Sequence, residues 1–295
     1  MPPLGVESGL VVGCLLLVAA SLAYVRGSDD AGRVGGSPGF EAGRAGAILG
    51  FTILALVLVA LTVQYVGRPD RYVMPFVALF GVVLCLQAAW LVAHRWDRAR
   101  QLVTATTVVL VLLVPFEVYP VLLESIQELL AAQVAAVVGW LGYQVAIEPS
   151  SSGAMTRLTF ENNGFYNIAR ECTGVDGFAL FAGLLVAARA SWRLKLAGIG
   201  FAFVAVYVVN MVRMVFVGSA IAGDWFGPLI TSGDTVQMTY YVAELGIGLT
   251  FVVLATVAGF LYVSRFLPDL RAFVNDLFET ILDPLALRED TRTVE

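Results

Sequence analysis

Histidine occurs once in this chain of 295 residues, lysine once, and charged residues make up only 14% of it. Each scarcity excludes something. Soluble domains carry about 25% charged residues, so a chain this poor in charge cannot clothe a water-soluble globule. The lone histidine, His94, sits in the basic stretch "VAHRWDRAR" and reads as a solvated loop residue. A papain-like Cys–His pair has no histidine to draw on near any other cysteine. The three cysteines contain no CxxC, and Cys14 and Cys85 lie inside apolar runs as small packing residues. A disulfide framework and a thiol-redox pair are therefore excluded. A rhomboid would need Gly-x-Ser-Gly with a histidine, and a DHHC acyltransferase its eponymous run; neither is present. The net charge of −5 gives no electrostatic footprint for nucleic acid. The N-terminus has Glu7 before its apolar run and Arg26 after it, without the basic start of a signal peptide, and reads as a retained first helix.

What is abundant is apolar sequence. Hydrophobic residues make up 59% of the chain, and the mean hydropathy is +0.83. Apolar runs of about 20 residues recur, the length of a helical membrane span. The expected fold is an all-α integral membrane protein, a polytopic bundle of seven to eight transmembrane helices. Seven runs are strong: 10–24, 45–66, 73–93, 102–122, 172–188, 196–221 and 238–264. The stretch 124–142 is weaker, interrupted by Glu124, Gln127, Glu128 and Gln133, and reads as an interfacial helix or an eighth span.

Arginine asymmetry sets the expected orientation. "HRWDRARQ", "ARASWRLK" and the run into Arg265 and Arg271 fit inside. So does the first loop, with Arg26, Arg33 and Arg44. The loop "GDWFGPLITSGDTV" has no basic residue and fits outside. The short "GRPDR" falls outside with two arginines, against the rule. This arrangement puts 143–171 outside the membrane. There "YQVAIEP" and "TRLTFEN" alternate and are joined by a Ser/Gly turn, which predicts a small β-hairpin. One membrane domain, 1–295, then divides into N-terminal helices (10–122), an interfacial helix with an extracytoplasmic hairpin (123–171), catalytic helices (172–264) and a cytoplasmic amphipathic tail (265–295).

Ionisable groups within spans are costly and tend to line a watery cavity. Cys172 stands at a helix start, where the dipole and free backbone amides favour an anionic thiolate. Arg213 is about ten residues from the basic-free loop, a depth of roughly 12–15 Å, and Asn210 precedes it on the same face. Glu244 lies about eight residues into the last span and follows Gln237, Tyr240 and Tyr241, a polar stripe that reads as a cavity wall. Glu117, between Pro115 and Pro120, interrupts the fourth span. Asp176 follows the thiol by one turn and reads as a dipole partner or a pocket residue. The plain alternative to each is structural: a buried Arg213–Glu244 pair, and a Glu117 carboxylate satisfied by freed backbone amides.

Together these parts predict a chemistry. A thiolate attacks a peptide carbonyl, passes through a tetrahedral oxyanion and leaves a thioester for a second nucleophile. Arginine can hold the oxyanion but keeps its own proton, so acid–base work falls to Glu244, a tyrosine, water or the substrate. No cofactor and no metal is needed. Two other classes compete: a non-catalytic membrane scaffold or carrier with a structural Arg213–Glu244 pair, and a plain cysteine protease at the membrane surface.

"ECTGVDG" resembles the cysteine motif of the exosortase/archaeosortase family, and "NMVRM" its arginine motif, with a similar spacing from Cys172 to Arg213. The lysine-poor, acidic, Cys-Thr-Gly form is most similar to the haloarchaeal archaeosortases. The likeness covers the whole span pattern, with its specific part in 142–248. It implies a sortase-like transpeptidase of the plasma membrane, unrelated in fold to soluble sortases, with Cys172 as nucleophile and Arg213 as its essential cation. Its substrates would be secreted proteins ending in Pro-Gly-Phe, a transmembrane helix and a basic tail, and its acceptor a membrane lipid. The third family position, a His or Arg shortly before a glycine in the last helix, is filled by neither here. Glu244 stands there, four residues before Gly248, so the third role is absent, relocated or taken by a carboxylate–tyrosine pair. Pro38-Gly39-Phe40, before an apolar span, imitates the substrate signal but is not C-terminal and reads as coincidence.

Overall fold

The computed structural model describes residues 12–13, 15–19, 38–66, 74–94, 96–149, 156–162, 164–226, 239–266, 271–272 and 274–275. Most of these are helical. In chain order come α1 (Pro38–Tyr65), α2 (Met74–His94), α3 (Trp96–Val118), α4 (Pro120–Trp140), β1 (Val145–Pro149), β2 (Thr156–Phe160), β3 (Phe165–Ile168), a 3-10 turn (Arg170–Cys172), α5 (Val175–Ala187), α6 (Trp192–Ala222), a π-helix (Tyr241–Gly248) and α7 (Leu249–Phe266). Pro38-Gly39-Phe40 is the start of α1. Of the expected first span, 12–13 and 15–19 are helical, and the C-terminal tail lies almost wholly outside the described residues.

Among the described residues, four stretches are long and apolar enough to cross a membrane: Glu41–Val63, Pro120–Trp140, Trp192–Ala222 and Val242–Arg265. Three shorter apolar helices accompany them, Ala78–His94, Gln101–Phe116 and Val175–Ala187. Their outward faces carry large apolar side chains such as Phe76, Phe80, Val204 and Leu254. Such a surface suits hydrocarbon and would aggregate in water. The chain is a multi-pass membrane protein.

One boundary differs from the sequence expectation. The run 102–122 does not continue as one helix. Pro120 lacks an N–H and forces the residue before it out of the α region. Tyr119 accordingly takes φ −119° and ψ 83°, and Pro120 opens α4 at a position where its missing donor costs nothing. The stretch read as weak from residue 124 is thus a full helix of 21 residues.

The described residues form two compact units. One takes those within Met1–Val118, Ala182–Ala190 and Pro268–Glu295; the other takes Tyr119–Phe181 and Ser191–Leu267. The first is helix on helix, with Phe51, Leu54, Leu91, Val92 and Val103 in its core. Small residues let its backbones approach closely. A Cβ at Gly50 would meet Leu17 Cγ at 2.8 Å, and one at Gly183 would meet the Ala105 carbonyl oxygen at 2.6 Å.

The second unit packs helices against a three-stranded antiparallel sheet of order β1-β2-β3. The two runs expected to pair do so, Val145 opposite Phe160 and Pro149 opposite Thr156. A third strand extends them, with Leu158 opposite Tyr166. Alternation turns Thr156, Leu158 and Phe160 inward from β2 and Tyr166 and Ile168 inward from β3. They bury against Leu130, Val134 and Val138 of α4 and Met214, Val217 and Ile221 of α6. Full burial of an aliphatic side chain such as Leu158 or Ile168 is worth roughly 1.5–3 kcal/mol. The turn after β2 also ties down a helix end: Asn162 Nδ2 donates at 2.7 Å to the Ile221 carbonyl, which also accepts from the Asp224 N–H at 3.2 Å.

Candidate active site

The sheet positions the thiol. β3 ends at Ile168, and the chain turns through the 3-10 segment that carries Cys172. The turn is held by the Cys172 N–H donating to the Ala169 carbonyl at 3.0 Å. The Thr173 hydroxyl donates to the Arg170 carbonyl at 2.7 Å and accepts from the Val175 N–H at 3.4 Å. Gly174, at φ +73°, then reverses the backbone, a conformation that disfavours any Cβ. The helix read as starting at residue 172 therefore starts at Val175. Cys172 precedes it, tucked beneath the sheet and 5% exposed.

Four polar groups link to that thiol residue in sequence. The Tyr166 hydroxyl lies 3.5 Å from Cys172 Sγ, either atom able to donate. Asn210 Nδ2 donates to the Cys172 carbonyl. Arg213 Nη1 donates to Asn210 Oδ1 at 3.5 Å. Arg213 Nη2 is ion-paired with Glu244 Oε1. Both members of that pair are largely buried, their side chains 13% and 8% exposed. Burying the pair costs both ions their hydration, and Arg213 Nε and Glu244 Oε2 have no hydrogen-bond partner to offset it. Those two atoms are a donor and an acceptor without an assigned task.

Glu244 is delivered by the π-helix. Its i→i+5 pattern is rare and recurs at functional sites. Gly248 makes the wide turn fit against α6: a Cβ there would sit 2.9 Å from the Ala243 carbonyl oxygen and 3.5 Å from Arg213 Cγ. Tyr240, just ahead of the π-helix, packs on the same core, its ring 6.3 Å from that of Tyr166.

The sequence-derived candidates thus divide. Cys172, Asn210, Arg213 and Glu244 form one connected chain, with Tyr240 beside it. Asp176 instead pairs with Arg170 at 3.1 Å, on the exposed start of α5. Glu117 is in the last turn of α3, but its side chain lies outside the described residues, as does that of Tyr241; Gln237 lies outside them altogether. Tyr166 was not singled out from the sequence. Its place in a run of alternating apolar residues reads as strand packing, and only the position three residues before "ARECTG" hints at the thiol. Burial pushes its hydroxyl well above the ordinary tyrosine range, and the adjacent Cys172 adds to the effect. Among the described residues, no group of three His, Cys, Asp or Glu is placed to hold a metal ion.

Comparison with known proteins places the chain among membrane-bound relatives. The family model described as Transmembrane exosortase (Exosortase_EpsH) matches residues 12–233. Archaeosortase A of Natronomonas pharaonis is 27% identical over 218 residues, 69% of this chain and 69% of the relative. Archaeosortase A of Haloferax volcanii is 24% identical over 282 residues, 88% of this chain and 93% of the relative. No solved structure matches the chain.

Proposed function

The chain belongs to the transmembrane exosortase family, and on that premise we propose that it is a membrane-embedded sorting transpeptidase with Cys172 as its nucleophile. The observation that carries this reading is the unbroken contact chain from the Tyr166 hydroxyl through Cys172 and Asn210 to the buried Arg213–Glu244 pair. Its relatives bear the name archaeosortase A, which supports a sorting role.

The reaction runs in two steps. The Cys172 thiolate attacks the carbonyl carbon of the scissile peptide bond in a C-terminal Pro-Gly-Phe signal. The C–N bond breaks, the leaving amine takes a proton, and a thioester remains. A membrane lipid with a nucleophilic headgroup then attacks the thioester; the C–S bond breaks and sulfur regains its proton. Arg213 stabilises the oxyanion of both tetrahedral states in a site shielded from water. It does not move protons. Tyr166, within reach of sulfur, and Glu244, with one unpaired oxygen, divide that work, in place of the His or Arg that the family's third position would supply. Asn210 holds the Cys172 backbone and Arg213 in one register. The chain spans the plasma membrane seven or eight times, with the sheet and the thiol on the extracytoplasmic side. Its substrates are secreted proteins bearing the signal, a transmembrane helix and a basic tail.

One observation favours a second reading. Arg213 and Glu244 are ion-paired, as a non-catalytic scaffold or carrier would also require. Expression of a reporter ending in Pro-Gly-Phe, a helix and a basic tail separates the readings. Loss of the tail with gain of lipid, dependent on Cys172, is the expected result. Tail loss without lipid would identify a plain protease. A Cys172→Ser form that supports every cellular role of the wild type would identify the scaffold.

A further inference from the structure

A cavity of about 270 Å³ opens directly beneath this site. Asn210 and Arg213 form one end of it, and Gly174, two residues after the thiol, lines the same end. From there it follows α6 down to Phe201, with α5 contributing Gly177 and α7 contributing residues from Val252 to Val263. Its walls are apolar apart from Asn210, Arg213 and Thr256. Twelve residues of helix separate Arg213 from Phe201, a length of about 18 Å. The groove is apolar over that whole length and polar only near the Asn210–Arg213 end apart from Thr256, the amphipathic pattern of a hydrocarbon chain beneath a headgroup.

We propose that this groove binds one hydrocarbon chain of the acceptor lipid, with the headgroup held at Arg213 and Asn210 beside the Cys172 thioester. The inference rests on the transpeptidase reading and names where its second substrate sits. Asn210 and Arg213 give that end of the groove an amide and a guanidinium for a headgroup. The chain fills a dry apolar slot, and a hydroxyl or amine of the headgroup attacks the thioester carbon. The C–S bond breaks, a C–O or C–N bond forms, and the headgroup proton passes to sulfur. Lipid rather than water becomes the acceptor because the groove concentrates it at the reacting carbon.

Gly259 supplies the test. It lines the groove, and a Cβ added there meets nothing within 4 Å. Gly259→Phe plugs the slot without forcing the backbone apart. Gly139→Phe, on an exposed and equally open position of α4 outside the groove, is the control. In the reporter assay, Gly259→Phe is expected to keep Cys172-dependent tail loss within about threefold while lipid attachment falls at least tenfold, the thioester being resolved by water. Gly139→Phe should retain both. Unchanged lipid attachment in Gly259→Phe would overturn the proposal. An equal fall in both readouts, with thermal unfolding unchanged, would do so too and give the groove to the substrate helix. Should Gly259→Phe unfold, a phospholipid carrying a mid-chain diazirine decides on the full-length Cys172→Ala protein in vesicles: crosslinks to residues 201–213 and 252–263 are expected, and their absence overturns the groove. Loss of all tail cleavage in the wild type would instead refute the transpeptidase reading, which the crosslinking result does not touch.

Discussion

The two units bury different things. Among the described residues, the first buries one polar side chain, Thr107, whereas the second buries Gln127, Thr156, Asn210, Ser219, Thr239, Glu244 and Ser264. The first is held by shape: Gly50 against Leu17, Gly81 against Leu58, Gly183 against the Ala105 backbone. Dispersion and close packing suffice there, because lipid tails are as apolar as its side chains. The second carries an ion pair and an amide through the apolar interior, next to a thiol. Ions taken out of water gain less from each other than they lose in hydration unless geometry is good. Among the described residues, the buried ion pair and the amide beside the thiol belong to the second unit.

The contrast is sharpest between the two cysteines that the structure describes, Cys85 of the first unit and Cys172 of the second. Cys172→Ala should abolish reporter processing, a fall of at least ~10³-fold as expected when a nucleophile is removed. Cys85→Ala should leave the rate within about twofold. Comparable processing by both variants would erase the functional difference between the units.

The ion pair gives the next effect. Arg213→Ala leaves Glu244 buried and uncompensated, and Glu244→Ala does the converse; each should lower stability by about 3–5 kcal/mol. Arg213→Met combined with Glu244→Leu removes both charges at similar volume and should unfold at nearly the wild-type temperature, or above it, yet remain inactive. An active double variant would make the pair structural and return the chain to the scaffold reading. In the first unit, Gly183→Ala drives a methyl against the Ala105 backbone and should cost about 1–3 kcal/mol in thermal unfolding, with the activity of the surviving folded protein unchanged. A variant that stays folded but loses catalysis would show that the first unit is not passive.

Much of the candidate site is legible in the sequence because ionisable and amide groups stand out in apolar runs. Cys172, Asn210, Arg213 and Glu244 were found that way, and they are the four that connect. The paired strands were legible from alternation and the intervening Ser/Gly turn. Other features were not. Tyr166 hides in the same alternation, since a tyrosine in a strand reads as packing until the turn at Arg170–Cys172 folds the thiol back onto it. Asp176 sits one turn from Cys172 in sequence, but the 3-10 turn brings Arg170 to it instead. The π-helix has no sequence period to betray it; Gly246 and Gly248 are its only outward sign. Pro120 did carry the signal for a new helix, but the apolar run continues past it and masks the break.

Tyr166 sets the smallest and most specific difference. Removing its hydroxyl costs one weak hydrogen bond to sulfur, about 0.5–1.5 kcal/mol, so Tyr166→Phe should fold. Burial raises its folded-state titration above the unfolded value of 10.0. Below pH 10 both states keep the proton and its contribution to stability is fully present. As pH rises from 10 towards the folded-state value, the unfolded chain releases a proton that the folded chain retains. Stability must then fall. Tyr166→Phe cannot lose what it does not have, so its stability should decline less steeply than the wild type's above pH 10. If Tyr166 also passes the thiol its proton, Tyr166→Phe will lower turnover with little change in the reporter concentration needed for half-maximal rate. An unchanged turnover beside a flattened alkaline slope would leave Tyr166 holding Cys172 in place and assign the proton to Glu244.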